Sequence, residues 1–354
     1  MKNKIITFSF VSYIIIFSVL HIVFQDHEIS YTERRQLADF PRLEFSSEYI
    51  TKVEKYLLDH FPYRDEYRSI KANFNYNILG RLDNNQIYLK ENNIYKSNYP
   101  TNKESVSNFI TKTNEIKNIL TSDNKTYLMI VPDKNYYLED ENFLQLDYNY
   151  IYNEVDKLNM NNIDIRNIMT IEDYYATDTH WKQENLDKVV YEMSKIMDIE
   201  YKKEYYTKNE YDSFYGVYYG ESAVKRSPEK LIYLTNNTIN KAEVKYLENK
   251  NLTSVYNKEK LTSLDSYEVY LDGASSFIEI TNPNSTTEKE LVIFRDSFAS
   301  SITPLLIKYY SKITVIDNRY INSDNFLNMI TFNKQDVLFI YSTLIVNRSN
   351  TLKG

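Results

Sequence analysis

Four short apolar runs, three of them unbroken and one interrupted only by Thr314, constrain the fold more than any other feature of this chain: residues 127–131, 291–294, 313–316 and 337–340. Each is too short for a buried helix, and a strand points successive side chains to opposite faces. A continuous apolar run therefore predicts a strand covered on both sides. The last three runs are separated by stretches of helical spacing, and parallel strands require such crossovers. An α/β fold follows, with a parallel sheet flanked by helices. Sheets of that kind carry their sites beyond the carboxyl ends of the strands.

Arg295-Asp296-Ser297-Phe298-Ala299-Ser300 directly follows one run, and residues 301–310 then read as helix. Ser297 is thus expected between a strand's end and a helix's start, where free N–H groups and the helix dipole can stabilise an oxyanion. A serine at that place also suits an ordinary N-cap. The other reactive stretch is Ala176-Thr177-Asp178-Thr179-His180-Trp181-Lys182, which holds the only Trp of the chain and the only His after His60. Imidazole chemistry in the large C-terminal part therefore has to use His180. In an extended segment Asp178 and His180 project to the same side, and a carboxylate there fixes the tautomer of a general base. Such a pair can equally cap a helix. After Trp181 the residues Leu186, Val189, Val190, Met193, Ile196 and Met197 recur at helical intervals.

At 354 residues, 42% hydrophobic and 26% charged, the chain can bury a full core, as one large domain or two smaller ones. A net charge of −7 without a basic run argues against a nucleic-acid partner. The absence of Cys removes disulfides, thiolate metal sites and Cys nucleophiles together. Thirty-five Tyr and only five Gly suggest biased genome composition. Residues 5–24 carry no formal charge apart from His21, long enough to cross a bilayer as one helix. Lys2 and Lys4 before the run favour the N-terminus inside and the remainder outside the cell. A cleaved signal peptide is the alternative, but no small-x-small site follows Phe24.

Residues 1–25 are therefore expected as a membrane anchor, 26–100 as a membrane-proximal helical region, and 101–354 as the α/β domain. In the second region Tyr49, Ile50, Val53, Tyr56, Leu57 and Phe61 form a helical stripe, broken at Pro62. A helix over 64–79 closed by Gly80 follows, then a hairpin over 86–95 with Asn92-Asn93 at its turn. Thr101 and Glu104 read as a capping box for a helix carrying Val106, Phe109 and Ile116. A further helix is expected over 143–158 and a brief strand over 163–165. Residues 201–284 read as a β-rich insertion, with segments at 230–234, 242–247, 267–271 and 277–280. The stretch 214–220 contains Gly216 and Gly220, and a glycine there lets a backbone N–H approach a substrate or simply makes a turn.

Asp178-Thr179-His180-Trp181 followed by Asp296-Ser297-Phe298 resembles the SGNH-hydrolase-like domain of the alginate O-acetyltransferases and the related bacterial DHHW-type proteins. Glu33-Arg34-Arg35-Gln36-Leu37 with Pro41, Phe61-Pro62-Tyr63-Arg64-Asp65 and Val131-Pro132-Asp133-Lys134 look like secondary marks of that group. The resemblance implies Ser297 as nucleophile, His180 as general base and Asp178 as its orienting partner. It also implies a circularly permuted SGNH order, because Asp and His precede Ser here. Thr179 stands where the DHHW name has its first His, and Arg295 where many SGNH enzymes have Gly. Trp181, Arg295 and Gly216 are candidates for substrate contacts. The implied activity is acetyl transfer to, or acetyl-ester hydrolysis on, an extracytoplasmic polysaccharide, without a cofactor. The implied partner is a multispanning membrane acyltransferase that supplies acetyl groups. The rival is a membrane-anchored polysaccharide-binding or assembly protein that keeps the fold without chemistry. A metal hydrolase or a nucleotide enzyme is disfavoured by the single usable His and the lack of a phosphate-cradling loop.

Overall fold

The computed structural model describes residues 2–24, 26–139 and 142–353. The chain divides into two compact units, one of residues 1–87 and 219–226, the other of residues 88–218 and 227–354.

In the first unit, helix α1 (Lys2–Val23) is long and apolar enough over Asn3–His21 to cross a membrane, and none of that stretch is buried. Helix α2 (Ser47–Asp59) starts where the Ser46 side chain accepts the Tyr49 N–H. The chain turns at Pro62, with Tyr63 in the left-handed region at φ 58°, and helix α3 (Arg64–Asn73) follows. It continues as a π-helical turn over Phe74–Ile78 and stops at Gly80, whose φ of 61° suits glycine. Two of the secondary marks meet here. Arg35 clamps the Asp59 carboxylate, with Nη1 to Oδ2 at 2.8 Å, while Arg64 and Arg68 both reach Glu33. Hydrogen bonding from Arg35 holds the Asp59 carboxyl down at about 2.

A hairpin of Ile87–Lys90 and Asn93–Lys96 turns at Glu91-Asn92, with Glu91 at φ 52°, one residue ahead of the expected turn. In the second unit, helix α4 (Lys103–Lys117) is capped by Asn102, whose side chain accepts from Ser105 N–H. The expected cap, Thr101, instead accepts the Asp147 N–H at 2.6 Å, next to helix α5 (Tyr148–Val155).

The central sheet has seven strands. In chain order they are β1 (Lys125–Val131), β2 (Asn161–Asn162), β3 (Glu243–Tyr246), β4 (Phe277–Thr281), β5 (Glu290–Arg295), β6 (Lys312–Ile316) and β7 (Asp336–Ser342). The spatial order is β3-β4-β6-β5-β7-β1-β2, with β6, β5, β7, β1 and β2 parallel and β3 and β4 antiparallel at one edge. The α/β class with helices flanking a mostly parallel sheet is as the apolar runs predict. Two of the strands expected in a β-rich insertion therefore extend the central sheet. Only Thr207–Phe214 and Glu229–Thr235 form a separate two-stranded ribbon, and residues 267–271 begin as a 3₁₀ turn, Ser266–Val269.

Alternate residues of the runs bury into two cores. Leu291, Ile293, Leu338 and Ile340 meet Val189, Val190 and Met193 of helix α6 (Asp187–Ile196) and Phe298, Ile302 and Leu305 of helix α7 (Phe298–Leu306). On the other face Val292, Phe294, Val337 and Phe339 meet Val106, Phe109 and Ile151 of α4 and α5. Burial of each such side chain contributes roughly 1.5–3 kcal/mol, so the two-faced runs fix the layer order. The middle strand is β5, and Ser297 lies just beyond its carboxyl end.

Candidate active site

Ser297 occupies the turn between β5 and α7, half-buried, with φ −64° and ψ −22°. Its hydroxyl makes no capping bond to the helix. Asp296 does that work, accepting Phe298 N–H at 2.9 Å on Oδ1 and Ser342 N–H, from the end of neighbouring β7, at 2.7 Å on Oδ2. The Ser297 Oγ is thereby left to a partner 117 positions earlier in the chain: His180 Nε2 lies 2.8 Å away. On the far side of the ring, Nδ1 lies 2.6 Å from Asp178 Oδ1. Asp178, His180 and Ser297 thus form one unbroken hydrogen-bonded row.

The Asp and His meet by a different route from the extended one expected. Residues 176–180 are a series of bends, and Asp178 Oδ1 accepts both the His180 backbone N–H at 3.0 Å and the ring nitrogen, an Asx-type turn. A bridge between Tyr174 and Trp181 closes the loop. A 3₁₀ turn, Gln183–Asn185, then precedes α6, whose Ile196 is exposed rather than buried. Side chains from elsewhere supply the remaining support. The Lys134 ammonium, almost fully buried, donates to the carbonyls of Tyr175, Ala176 and Asp178 at 2.8, 3.0 and 3.3 Å. The Glu229 carboxylate accepts the N–H groups of Ala176 and Thr177 at 2.8 and 2.7 Å. Val217 N–H reaches Asp178 Oδ2 at 2.7 Å, so both carboxylate oxygens are satisfied.

The three residues expected to touch substrate have other places. Trp181 is fully buried, and its Nε1 donates to Phe298 O at 3.0 Å and Ser301 Oγ at 2.8 Å, locking the imidazole loop onto α7. Arg295 is also fully buried, donating to the Gly273 and Ser275 carbonyls at 3.0 and 3.1 Å and to Ser300 Oγ. Burial lowers its pKa from the ordinary guanidinium value, against the pull of Asp317. Gly216 gives its N–H to Thr177 Oγ1 at 2.9 Å. A Cβ at Gly216 would fall 2.2 Å from the Thr177 carbonyl, so its glycine permits close backbone approach to the loop.

Residues with no signal in the sequence complete the site. The Tyr267 ring stacks on His180 with centroids 3.9 Å apart and planes 9° from parallel, while its hydroxyl donates to Ser301 Oγ at 2.9 Å. Burial raises the Tyr267 pKa well above the usual phenol range, which keeps it a neutral donor. Arg319, held by Asp317 through bonds of 2.8 and 2.6 Å, lines a cavity of about 210 Å³ that opens onto Ser297 and His180. A larger cavity of about 570 Å³ lies in the first unit beside His27 and His60. There Thr32 Oγ1 donates to Asp65 at 3.1 Å and His60 Nε2 pairs with the Ala38 carbonyl at 2.9 Å, so among the described residues no hydroxyl there is seen paired with an imidazole, and chemistry rather than size selects the smaller cavity. The only Val-Pro-Asp-Lys run of the sequence marked Lys134 without giving its task; nothing marked Tyr267, Glu229 or Arg319.

A crystal structure of a DHHW family protein from Eubacterium siraeum superposes with a TM-score of 0.63 at 19% identity, covering 77% of this chain and 97% of that one. Bacillus cereus PatB1 superposes with a TM-score of 0.59 at 18% identity, covering 77% and 98%, and in its form with a sulfonyl adduct with 0.58 at 19%, covering 73% and 97%. This chain has the fold of a DHHW family protein. The resemblance of short motifs is thus matched by likeness of fold over most of the chain. No protein-family model matches the sequence, and no curated protein matches it.

Proposed function

We propose that the protein is an extracytoplasmic O-acetyltransferase or acetylesterase acting on a cell-surface or secreted polysaccharide, anchored by α1 with its remainder outside the cell. The observation that carries this reading is the row from Ser297 Oγ to His180 Nε2 at 2.8 Å and from Nδ1 to Asp178 at 2.6 Å. In the first half-reaction His180 Nε2 takes the hydroxyl proton as Ser297 Oγ bonds to the acetyl carbonyl carbon. Asp178, holding Nδ1–H, stabilises the imidazolium. The carbonyl π electrons move onto oxygen and return as the donor's leaving group departs with the proton from Nε2, giving an acetyl-Ser297 ester. In the second, an acceptor hydroxyl loses its proton to Nε2 and attacks the ester, and Oγ recovers a proton. A sugar hydroxyl as acceptor makes the protein a transferase, and water makes it an esterase.

With the Phe298 N–H taken by Asp296, the Ser297 N–H at the start of α7 is the candidate donor for oxyanion stabilisation. The Ser300 hydroxyl lines the same cavity and accepts a bond from Arg295, which leaves its proton as a second candidate donor. Acetyl groups would come from a multispanning membrane acyltransferase. PatB1 has been seen with a sulfonyl adduct, and sulfonyl fluorides react with activated nucleophiles, so such a reagent is a suitable probe of Ser297. The experiment is to treat the protein with a sulfonyl fluoride, map the added mass, and follow hydrolysis of a chromogenic acetyl ester with and without an oligosaccharide acceptor. Modification at Ser297 with loss of turnover is expected. Turnover equal in native protein, Ser297→Ala and His180→Ala would end the catalytic reading.

A further inference from the structure

The first unit carries a stripe of apolar side chains that its described residues leave uncovered. Along α3 and the π-helical turn after it, Tyr67, Ile70, Phe74 and Ile78 follow one another at helical spacing. Ile70 is 63% exposed, Phe74 49% and Ile78 70%. On α2, Ile50, Leu57 and Leu58 are exposed in the same way, while Lys52 and Lys55 lie on the opposite side of that helix. Water-facing helices of this length do not ordinarily present so many large aliphatic and aromatic groups together.

The place of this stripe relative to α1 says what covers it. The Phe61 ring stacks on Phe17 with centroids 5.3 Å apart, and Tyr67 lies 6.3 Å from the same ring. Tyr56 meets His21 edge-on at 5.9 Å, and Tyr63 meets Phe24 at 5.1 Å. Phe17 stands before the end of α1 at Val23 by roughly 9 Å, at about 1.5 Å of rise per residue. Side chains of the α2–α3 corner therefore touch α1 at a level that lies inside the bilayer if α1 spans it. The ring-rich contacts, Tyr56, Tyr63 and Tyr67 among them, are of the amphipathic kind found where membrane meets water.

We propose that α2 and α3 form an interfacial membrane element. Tyr67, Ile70, Phe74 and Ile78, with Ile50 and Leu57, enter the leaflet at the C-terminal end of α1; Glu54 and Lys71, exposed on the same two faces, reach up to the headgroups, and the other charged residues stay in water. The expected depth is roughly 5–10 Å below the headgroup boundary. The inference rests on reading α1 as a span. A protein partner on the same face is the competing occupant.

The chain has no Cys, so single replacements can be labelled cleanly. Full-length protein bearing Val11→Cys, Ile70→Cys, Phe74→Cys or Tyr205→Cys is labelled with a solvent-sensitive fluorophore. Each is placed in vesicles of phosphatidylcholine and phosphatidylglycerol that contain a lipid-borne quencher and no other protein. Tyr205, 88% exposed, belongs to the other unit and serves as the aqueous control. Labels at Val11, Ile70 and Phe74 are expected to shift to the blue, to be quenched from the lipid and to resist iodide, while the Tyr205 label stays open to iodide. If the Val11 label is in lipid but those at Ile70 and Phe74 remain as accessible as the Tyr205 label, the interfacial element is refuted and the span stands. This is also the outcome for a face reserved for a protein. Iodide access at all four sites removes both readings. Against capture by the dye itself, a label at Ile78→Cys must lose its lipid quenching when Ile70→Glu and Phe74→Glu are added.

Discussion

Ser297 is held by regular structure: β5 ends at Arg295, α7 begins at Phe298, and the side chain that caps the turn, Asp296, is its immediate neighbour. His180 has no comparable frame. Its loop owns a single bridge, and its shape comes from Lys134, Glu229 and Val217, which lie tens of positions away. The contrast shows two ways of aiming a reactive group. A turn built on ladder and helix is fixed by the backbone it joins, whereas a loop built on borrowed side chains is only as firm as each lender.

The sharpest break between the two is Ser297→Ala. It should lower acetyl-ester turnover by about 10⁴-fold or more, because members of such a row act as a unit. It should leave the thermal midpoint almost unchanged, since Ser297 caps nothing; turnover assays beside calorimetry check both. Lys134→Met attacks the other construction. Three carbonyls lose their shared donor, so a stability loss on the order of 3 kcal/mol is expected together with reduced turnover. Unchanged denaturation midpoints would show that the loop carries itself.

Asp133, beside Lys134, sharpens the comparison through pH. Burial pushes its carboxyl up to about 6, against hydrogen bonds from Tyr148 and Asn98 that lower it. The folded protein therefore holds this proton more tightly than the unfolded chain does. Stability from this group is complete below about pH 4 and is lost as pH rises toward 6, by roughly 2–3 kcal/mol. In Asp133→Asn, denaturation midpoints measured between those pH values should fall less steeply than in the native protein. The smallest effect is Tyr267→Phe. The ring stays on His180, and only the bond to Ser301 goes, at a cost of about 1 kcal/mol, with turnover within roughly tenfold. A larger fall would give the phenol itself a part in the chemistry.

The same contrast explains what the sequence discloses. The strands before Ser297 read directly from 291–294 and 337–340 because burial on both faces leaves an apolar run. Asp178 and His180 read as a pair because two residues of spacing is local information. Their support does not, because Glu229 is one acid among many in a ribbon strand and Tyr267 one of thirty-five tyrosines. Trp181 and Arg295 mislead for a related reason: near a reactive residue, an indole or a guanidinium invites a ligand, and only three-dimensional packing shows each spending its donors on backbone carbonyls and serine hydroxyls. The edge strands β3 and β4 look like an insertion because antiparallel pairing to β6 follows no crossover pattern.

Trp181 also gives the molecule a built-in optical reporter. As the sole indole of the molecule, seated between the imidazole loop and the first turn of α7, it makes the protein's red-edge fluorescence a single-address signal. Light absorbed there reports whether two distant stretches of polypeptide remain latched, without any dye or tag. An acyl donor that perturbs the latch would announce itself in the emission spectrum before any product is released.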